Sequence, residues 1–150
     1  MIETPAAVTI CDLLAEEVDF FSVGTNDLVQ YILAVDRVNN QIAYLYEPHH
    51  PAVIRSLQHV SKIAKETGKS ITVCGEIAGD PHFLPILLGL GFDNLSCAPP
   101  LLQELKFFGR RFTQKECKEL VSEVLAMARP VHIKERLKEF YDLRVADLLA

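Results

Sequence analysis

The chain has 150 residues, 49% of them hydrophobic and 23% charged, with a formal net charge of −5. That composition suits one folded domain with a sizeable core and excludes a disordered or low-complexity chain. With no basic stripe, nucleic-acid binding is not expected, and no apolar run approaches the roughly 20 residues that cross a bilayer.

Met1-Ile2-Glu3 reads as the tail of a strand, with Thr4 as N-cap and Pro5 at the first position of a helix. The spacing predicts one amphipathic helix over 6–18, with Val8, Cys11 and Leu14 or Ala15 turned inward. Beginning inside a strand predicts a segment of something longer. Phe20 to Val23 is apolar and aromatic, a short strand expected to be covered on both faces. Gly24 is expected to make a tight turn, and Thr25, Asn26 and Asp27 then offer a hydroxyl, an amide and a carboxylate. Leu28, Val29, Ile32 and Leu33 follow at helical spacing.

A long connection rich in aromatics and proline runs to Pro51, and long ordered loops are usually functional. Pro51 opens a helix to Thr67, with Val53, Leu57, Val60 and Ile63 or Ala64 inward and Gly68 as its stop. Ser70 to Cys74 is a second strand, again followed by glycine and polar residues (Gly75, Glu76). Asp80 and Pro81 predict a cap for a helix over 83–88, closed by Gly89 and Gly91, and a third strand spans 93–97. Helical pieces are predicted near 100–108, 113–128 and 130–140. Strands alternating with helices predict parallel βαβ units, an α/β fold. Cys11, Cys74, Cys97 and Cys117 are scattered without a CxxC pair, so no zinc site or disulfide framework is expected. Reduced thiols, no signal peptide and no apolar span predict a cytoplasmic protein.

If the strands are parallel neighbours, Glu3, Asn26, Asp27 and Cys74 all emerge at one carboxyl edge, where parallel α/β folds place ligand chemistry. Two carboxylates and an amide suit a hard divalent ion such as Mg²⁺, which prefers oxygen ligands and often bridges to a substrate phosphate. Arg37 offers a fork of donors to a phosphate, and Cys74 a thiol able to exchange a proton. The plainer readings stay open beside these. Glu3, Thr25 or Asp27 could merely cap helices, Arg37 could pair with Asp36 or Glu47, and Cys74 could be a small buried hydrophobe. Glu76 competes with Cys74 as the polar group of its turn. His49 and His50 are expected to be structural loop residues.

Several blocks together carry a family resemblance: Met1–Ala6, Phe20–Gln30 with Gly24-Thr25-Asn26-Asp27-Leu28, Asp36–Asn39, Ala43–Tyr46, His50–Val53, and Val73–Asp80 with Cys74-Gly75-Glu76. They resemble the carboxyl-terminal part of the phosphoenolpyruvate-binding domain of enzyme I, the phosphoenolpyruvate–protein phosphotransferase family of sugar transport. The resemblance implies the C-terminal portion of a phosphoenolpyruvate-utilising (β/α)8 TIM barrel, with the last barrel strands and helices in 1–97 and final helices and a helical tail in 98–150. It implies Mg²⁺ held by Glu3 and Asp27, phosphoryl contacts from Asn26, Asp27 and Arg37, and Cys74 as the acid that protonates the enolate to give pyruvate. It also implies a homodimer that takes phosphoenolpyruvate and serves a histidine-containing phosphocarrier protein through an amino-terminal phosphohistidine domain. That domain's motif and the arginines of earlier barrel strands lie outside this sequence, so the chain alone is expected to be inactive. Residues 98–150 match the family pattern weakly and suggest a divergent branch, such as the nitrogen-related one. Two alternatives are the barrel end of a pyruvate phosphate dikinase or phosphoenolpyruvate synthase, and a non-catalytic regulatory module.

Overall fold

The computed structural model describes residues 1–145; positions 146–150 of the expected helical tail lie outside the described residues. Thr4 accepts the Ala7 amide at 3.2 Å and Pro5 begins α1 (Pro5–Thr9), as the sequence predicts. The expected single helix over 6–18 is divided, however, with α2 (Cys11–Glu17) starting beyond Ile10. The Thr9 hydroxyl donates back to the Pro5 carbonyl at 2.8 Å, and Ile10 turns to φ −108° and ψ 20°. Two consecutive β-branched residues with a back-bonded hydroxyl favour such a break. Val8, Cys11 and Ala15 are buried all the same.

The chain continues through β1 (Phe20–Gly24), α3 (Thr25–Leu33), a loop with one short 3₁₀ turn, and α4 (Pro51–Glu66). Then come β2 (Ser70–Cys74), α5 (Glu76–Gly79), α6 (Leu84–Leu90) and β3 (Asn94–Ser96). Three helices follow: α7 (Leu102–Gly109), α8 (Gln114–Leu125) and α9 (Pro130–Val145). The helix expected to begin at 83 starts one residue later, because Phe83 itself is the N-cap; Asp80 spends its carboxylate on the His82 amide at 2.9 Å. Gly91, at φ 98°, ends that helix, whereas Gly89 lies within it.

All strand pairs are parallel, in the order β1-β2-β3, and Ile2 adds a parallel bridge on the far side of β1. The Ile2 amide donates to the Ser22 carbonyl at 2.7 Å and the Gly24 amide to the Ile2 carbonyl at 3.0 Å, so Met1–Glu3 does run as a strand tail. The register sets Gly24, Cys74 and Ser96 level with one another at the carboxyl edge.

Burial alternates along the strands. Phe21, Val23, Ile71 and Val73 are buried in one core with Val53, Leu57 and Val60 of α4 and Ile86 and Leu87 of α6. Ser22, Thr72 and Cys74 occupy the other face, where Phe20 is 63% exposed. The expected burial on both faces is therefore corrected: helices cover one face only. A barrel wall has this construction, with helices outside and alternate strand residues turned inward. Mixed α/β architecture with a parallel sheet matches the expected portion of a (β/α)8 barrel, and three strands are too few to close one.

Packing of α8 on α6 places glycine at the crossing. A methyl group on Gly89 would collide with the Cys117 carbonyl oxygen and lie 2.7 Å from both its carbonyl carbon and Val121 Cγ2. Backbone cannot yield as a side chain can, so Gly89→Ala is expected to destabilise the fold by about 1–3 kcal/mol, read from the midpoint of urea unfolding.

Candidate functional site

The carboxyl edge of the sheet gathers the residues that the sequence singles out. Glu3 leaves the strand tail directly over Gly24: a methyl group there would strike Glu3 Oε1 and sit 2.7 Å from its Cγ. Gly24 has φ −85°, a backbone open to any residue. Its smallness therefore serves the approach of a carboxylate rather than the turn expected of it. Thr4 caps α1, so Glu3 does not, and among the described residues no hydrogen bond or ion pair engages its carboxylate.

The polar run after Gly24 is the first turn of α3, and the N-cap is Gly24 without a side-chain bond. Neither Thr25 nor Asp27 caps the helix. Thr25 is fully buried and its hydroxyl donates to the Cys74 carbonyl at 2.7 Å. Asn26 Oδ1 accepts the Glu76 amide at 2.9 Å. With the oxygen so engaged, the Nδ2 amide is left to donate. The Asn26 carbonyl takes a further bond, at 3.2 Å, from the phenol of Tyr46.

Gly75 makes this junction possible. It sits at φ 99°, where side chains are strained, and a methyl group would come within 2.5 Å of Thr25 Oγ1 and 2.7 Å of Asn26 Oδ1. The bare glycine thus admits the first turn of α3.

Arg37 lies in the loop after α3. Its Nη2 is 3.6 Å from Asp27 Oδ1, so its partner is neither Asp36 nor Glu47. Asp36 instead accepts the Val38 amide at 3.0 Å, and Glu47 accepts the His49 ring nitrogen at 2.7 Å. The Arg37 amide is anchored at 3.2 Å on Gln30 of α3.

Cys74 is only partly buried. Its thiol donates to the Val23 carbonyl at 3.3 Å and lies 3.8 Å from Ser22 Oγ, on the sheet face that helices leave open. Two cavities flank the rim. One of 330 Å³ is lined by Asn26, Cys74, Glu76, Ser96 and Cys97, and one of 320 Å³ by Arg37, Val38, Tyr46 and Glu76. Glu76 borders both.

The structure thus brings Glu3, Asn26, Asp27, Arg37 and Cys74 to one rim. Among the described residues no three His, Cys, Asp or Glu side chains cluster as a protein-only metal cage. Glu3 and Asp27 are the two rim carboxylates that the family resemblance assigns to a metal, beside Glu76, and an ion held by those two would draw other ligands from water or substrate. His50 is structural as expected: its Nδ1 accepts the Ala52 amide at 3.1 Å at the head of α4. Sequence reasoning missed Thr25 as a clamp and Tyr46 as a support. The clue was available, because a buried threonine before a helix and a tyrosine in a long loop both require partners.

The parallel sheet carries a carboxylate, an amide, an arginine and a thiol on its carboxyl rim, the edge at which parallel α/β barrels place their sites. Residues 1–113 match the family described as PEP-utilising enzyme, PEP-binding domain, and the chain belongs to that family. It is similar to the phosphoenolpyruvate-protein phosphotransferase of Geobacillus stearothermophilus, with 40% identity over 143 residues, covering 95% of this chain and 25% of the relative. The Lactococcus lactis protein of the same name is 44% identical over 126 residues, 84% of this chain and 22% of the relative. That of Bacillus subtilis is 38% identical over 141 residues, 94% and 25% respectively. The chain spans about a quarter of the length of these relatives. An alignment of 143 residues runs through most of 98–150, the segment that the sequence set apart as weakly matching.

The four thiols divide by burial. Burial pushes the Cys117 thiol up to about 11, with the Glu116 carboxylate adding to it, and burial likewise raises Cys11. Cys74 and Cys97 are partly exposed. Because the thiolate is the reactive form, an aromatic disulfide reagent at pH 8 is expected to modify Cys74 and Cys97 rapidly. Cys11 and Cys117 should react only after denaturant is added, as peptide mapping would show; early labelling of Cys117 would contradict the core described above.

Proposed function

We propose that this chain supplies the metal and proton-donor side of the active site of a phosphoenolpyruvate–protein phosphotransferase. The arrangement that supports it best is the rim itself: Glu3 over Gly24, Asn26 clamped with Nδ2 left to donate, Arg37 on Asp27, and Cys74 on the open face. In this reading residues 1–97 form the last barrel strands and helices, residues 98–150 the final helices and tail, and other barrel segments complete the site. The assembled protein works as a homodimer in the cytoplasm, in sugar transport, and passes its phosphoryl group to a histidine-containing phosphocarrier protein. The chain alone binds but does not turn over.

The chemistry follows from the charges. Phosphoryl transfer to a histidine breaks the ester P–O bond, forms an N–P bond and leaves the enolate of pyruvate. Catalysis of such a step is mainly positioning and offsetting of charge. Glu3 and Asp27 would hold Mg²⁺, which when bound neutralises phosphate and carboxylate oxygens. Asn26 Nδ2 and the Arg37 fork bind phosphoryl oxygens; Arg37 reaches them by leaving its loose 3.6 Å contact with Asp27. Cys74 gives its thiol proton to the methylene carbon of the enolate, producing pyruvate, and the thiolate regains a proton from solvent. The Val23 carbonyl and Ser22 hydroxyl hold that thiol beside the substrate cavity meanwhile.

Calorimetric titration of the chain with phosphoenolpyruvate is expected to give heat only when Mg²⁺ is present, and Asp27→Asn should remove it. The same outcome in metal-free buffer, or none in either, would favour a non-catalytic regulatory module. In the assembled phosphotransferase, Cys74→Ala should lower pyruvate formation about 10²–10⁴-fold, the usual worth of a positioned general acid, while leaving metal-dependent substrate binding intact. Unchanged turnover in that variant would remove the thiol from the mechanism.

A further inference from the structure

Arg37 comes to the rim on a loop, and one helix holds it there at two points. Asp27 and Gln30 lie three residues apart in α3, neighbours on one face of the helix. Asp27 faces the guanidinium, with 3.6 Å between Oδ1 and Nη2. Gln30 takes the backbone instead. Its side-chain Oε1 accepts the Arg37 amide at 3.2 Å, and its main-chain carbonyl accepts the amides of Ala34 and, at 3.0 Å, Val35. A single residue thus receives the amides of Ala34, Val35 and Arg37 as the chain leaves α3.

The exit it organises is a sharp one. Ala34 sits at φ 52° and ψ 41°, a left-handed conformation that a residue with a Cβ adopts only at a cost. Val35 is then buried, while Asp36, Arg37 and Val38 are exposed. Beyond Arg37 the loop is shaped by its own turns. Asp36 accepts the Val38 amide and Asn39 Oδ1 the Gln41 amide, each at 3.0 Å. Those bonds fix local shape without tying the loop to the helix. Among the described residues its next hydrogen bond to α3 comes from the Tyr46 phenol, to the Asn26 carbonyl.

The two holds on Arg37 differ in what becomes of them. In the phosphotransferase reading above, on which this inference rests, Asp27 turns to the metal and the guanidinium to the phosphoryl oxygens. The ion pair therefore opens as substrate arrives. The bond from the Arg37 amide to Gln30 involves neither group and persists through that exchange. We propose that Gln30 is a positioning residue of this site, which keeps the Arg37 backbone beside the rim while the side chain swings to the phosphoryl group. A fixed backbone leaves less conformational freedom for binding to remove. Arg37 grips the phosphoryl group in the bound substrate as well as in the transition state. Loss of the anchor should therefore weaken binding more than it slows the chemical step.

Gln30→Met removes the accepting oxygen at similar length and helix propensity. In the assembled phosphotransferase this variant is expected to raise KM for phosphoenolpyruvate about three- to tenfold, the worth of one hydrogen bond, with kcat within about twofold of wild type. Arg37→Ala should raise KM further. In an Arg37→Ala background, adding Gln30→Met should change KM by less than about twofold, because its effect runs through Arg37. Amide hydrogen exchange, which needs no turnover, should be faster at Arg37 in Gln30→Met and unchanged at Leu28 and Val29. A wild-type KM in Gln30→Met beside a raised KM in Arg37→Ala would overturn the positioning role alone. So would equal losses from Gln30→Met with and without Arg37, or unchanged exchange at the Arg37 amide. A wild-type KM in Arg37→Ala would instead remove Arg37 from the substrate site, and this inference with it.

Discussion

One hydrogen bond ties the two halves of the rim together: the Glu76 amide to Asn26 Oδ1, at 2.9 Å. It joins the turn after β2 to the turn after β1, beside a second tie from Thr25 to the Cys74 carbonyl. Both bonds require the strands to be level and Gly75 to leave room, since a side chain there would occupy the space of the Thr25 hydroxyl and the Asn26 amide. The Thr25 hydroxyl is fully buried, so the loss of its partner would cost about 1–3 kcal/mol, whereas the more exposed bond between Glu76 and Asn26 contributes about 0.5–1.5 kcal/mol. The consequence is chemical as well as structural. Asn26 is held at its carbonyl by Tyr46 and at its side-chain oxygen by Glu76, so the orientation of its remaining donors is set before any ligand arrives. Sites that need no reorganisation on binding are the ones in which electrostatic stabilisation works best.

The sheet carries the rest. Ile2, β1, β2 and β3 are parallel neighbours, and parallel strands deliver every following turn to the same edge. Residues more than seventy positions apart, Glu3 and Cys74, therefore share a rim. The helices pack on one face through alternate strand residues, which leaves Ser22, Thr72 and Cys74 on the other. The rim thiol can then face a cavity while its strand neighbour Val73 is fully buried.

Much of this was legible in the sequence because its signals are periodic or local. Val53, Leu57, Val60 and Ala64 mark the buried face of α4, and Pro51 and Gly68 its ends; Ser70–Cys74 is a strand with the expected bounds. The convergence of Glu3, Asn26, Asp27 and Cys74 followed from strand topology alone. Other features depend on contacts between distant residues and carry no local mark. Gly24 looks like any turn glycine until the Glu3 side chain is seen above it, and Arg37 chooses Asp27 over the nearer Asp36 through the course of its loop. The break at Ile10 arises from a hydroxyl back-bond that competes weakly with helix formation, and propensity alone decides such contests poorly. The strands' open face was missed because an aromatic such as Phe20 suggests burial, although alternation with Phe21 and Val23 already indicated two unlike faces.

As proposed, Glu3 of the strand tail and Asp27 in the first turn of α3 would hold one divalent ion beside Asn26 and Cys74, with the phosphate of the substrate upon it. Mn²⁺ can replace Mg²⁺ and broadens the NMR signals of nearby nuclei, so paramagnetic mapping with phosphoenolpyruvate present tests this directly. The account predicts broadening centred on the amides of Glu3, Gly24 to Asp27, Cys74 and Gly75, with the amino ends of the strands at Phe20 and Ser70 much less affected. Broadening centred elsewhere, or confined to Glu3 without Asp27, would contradict it.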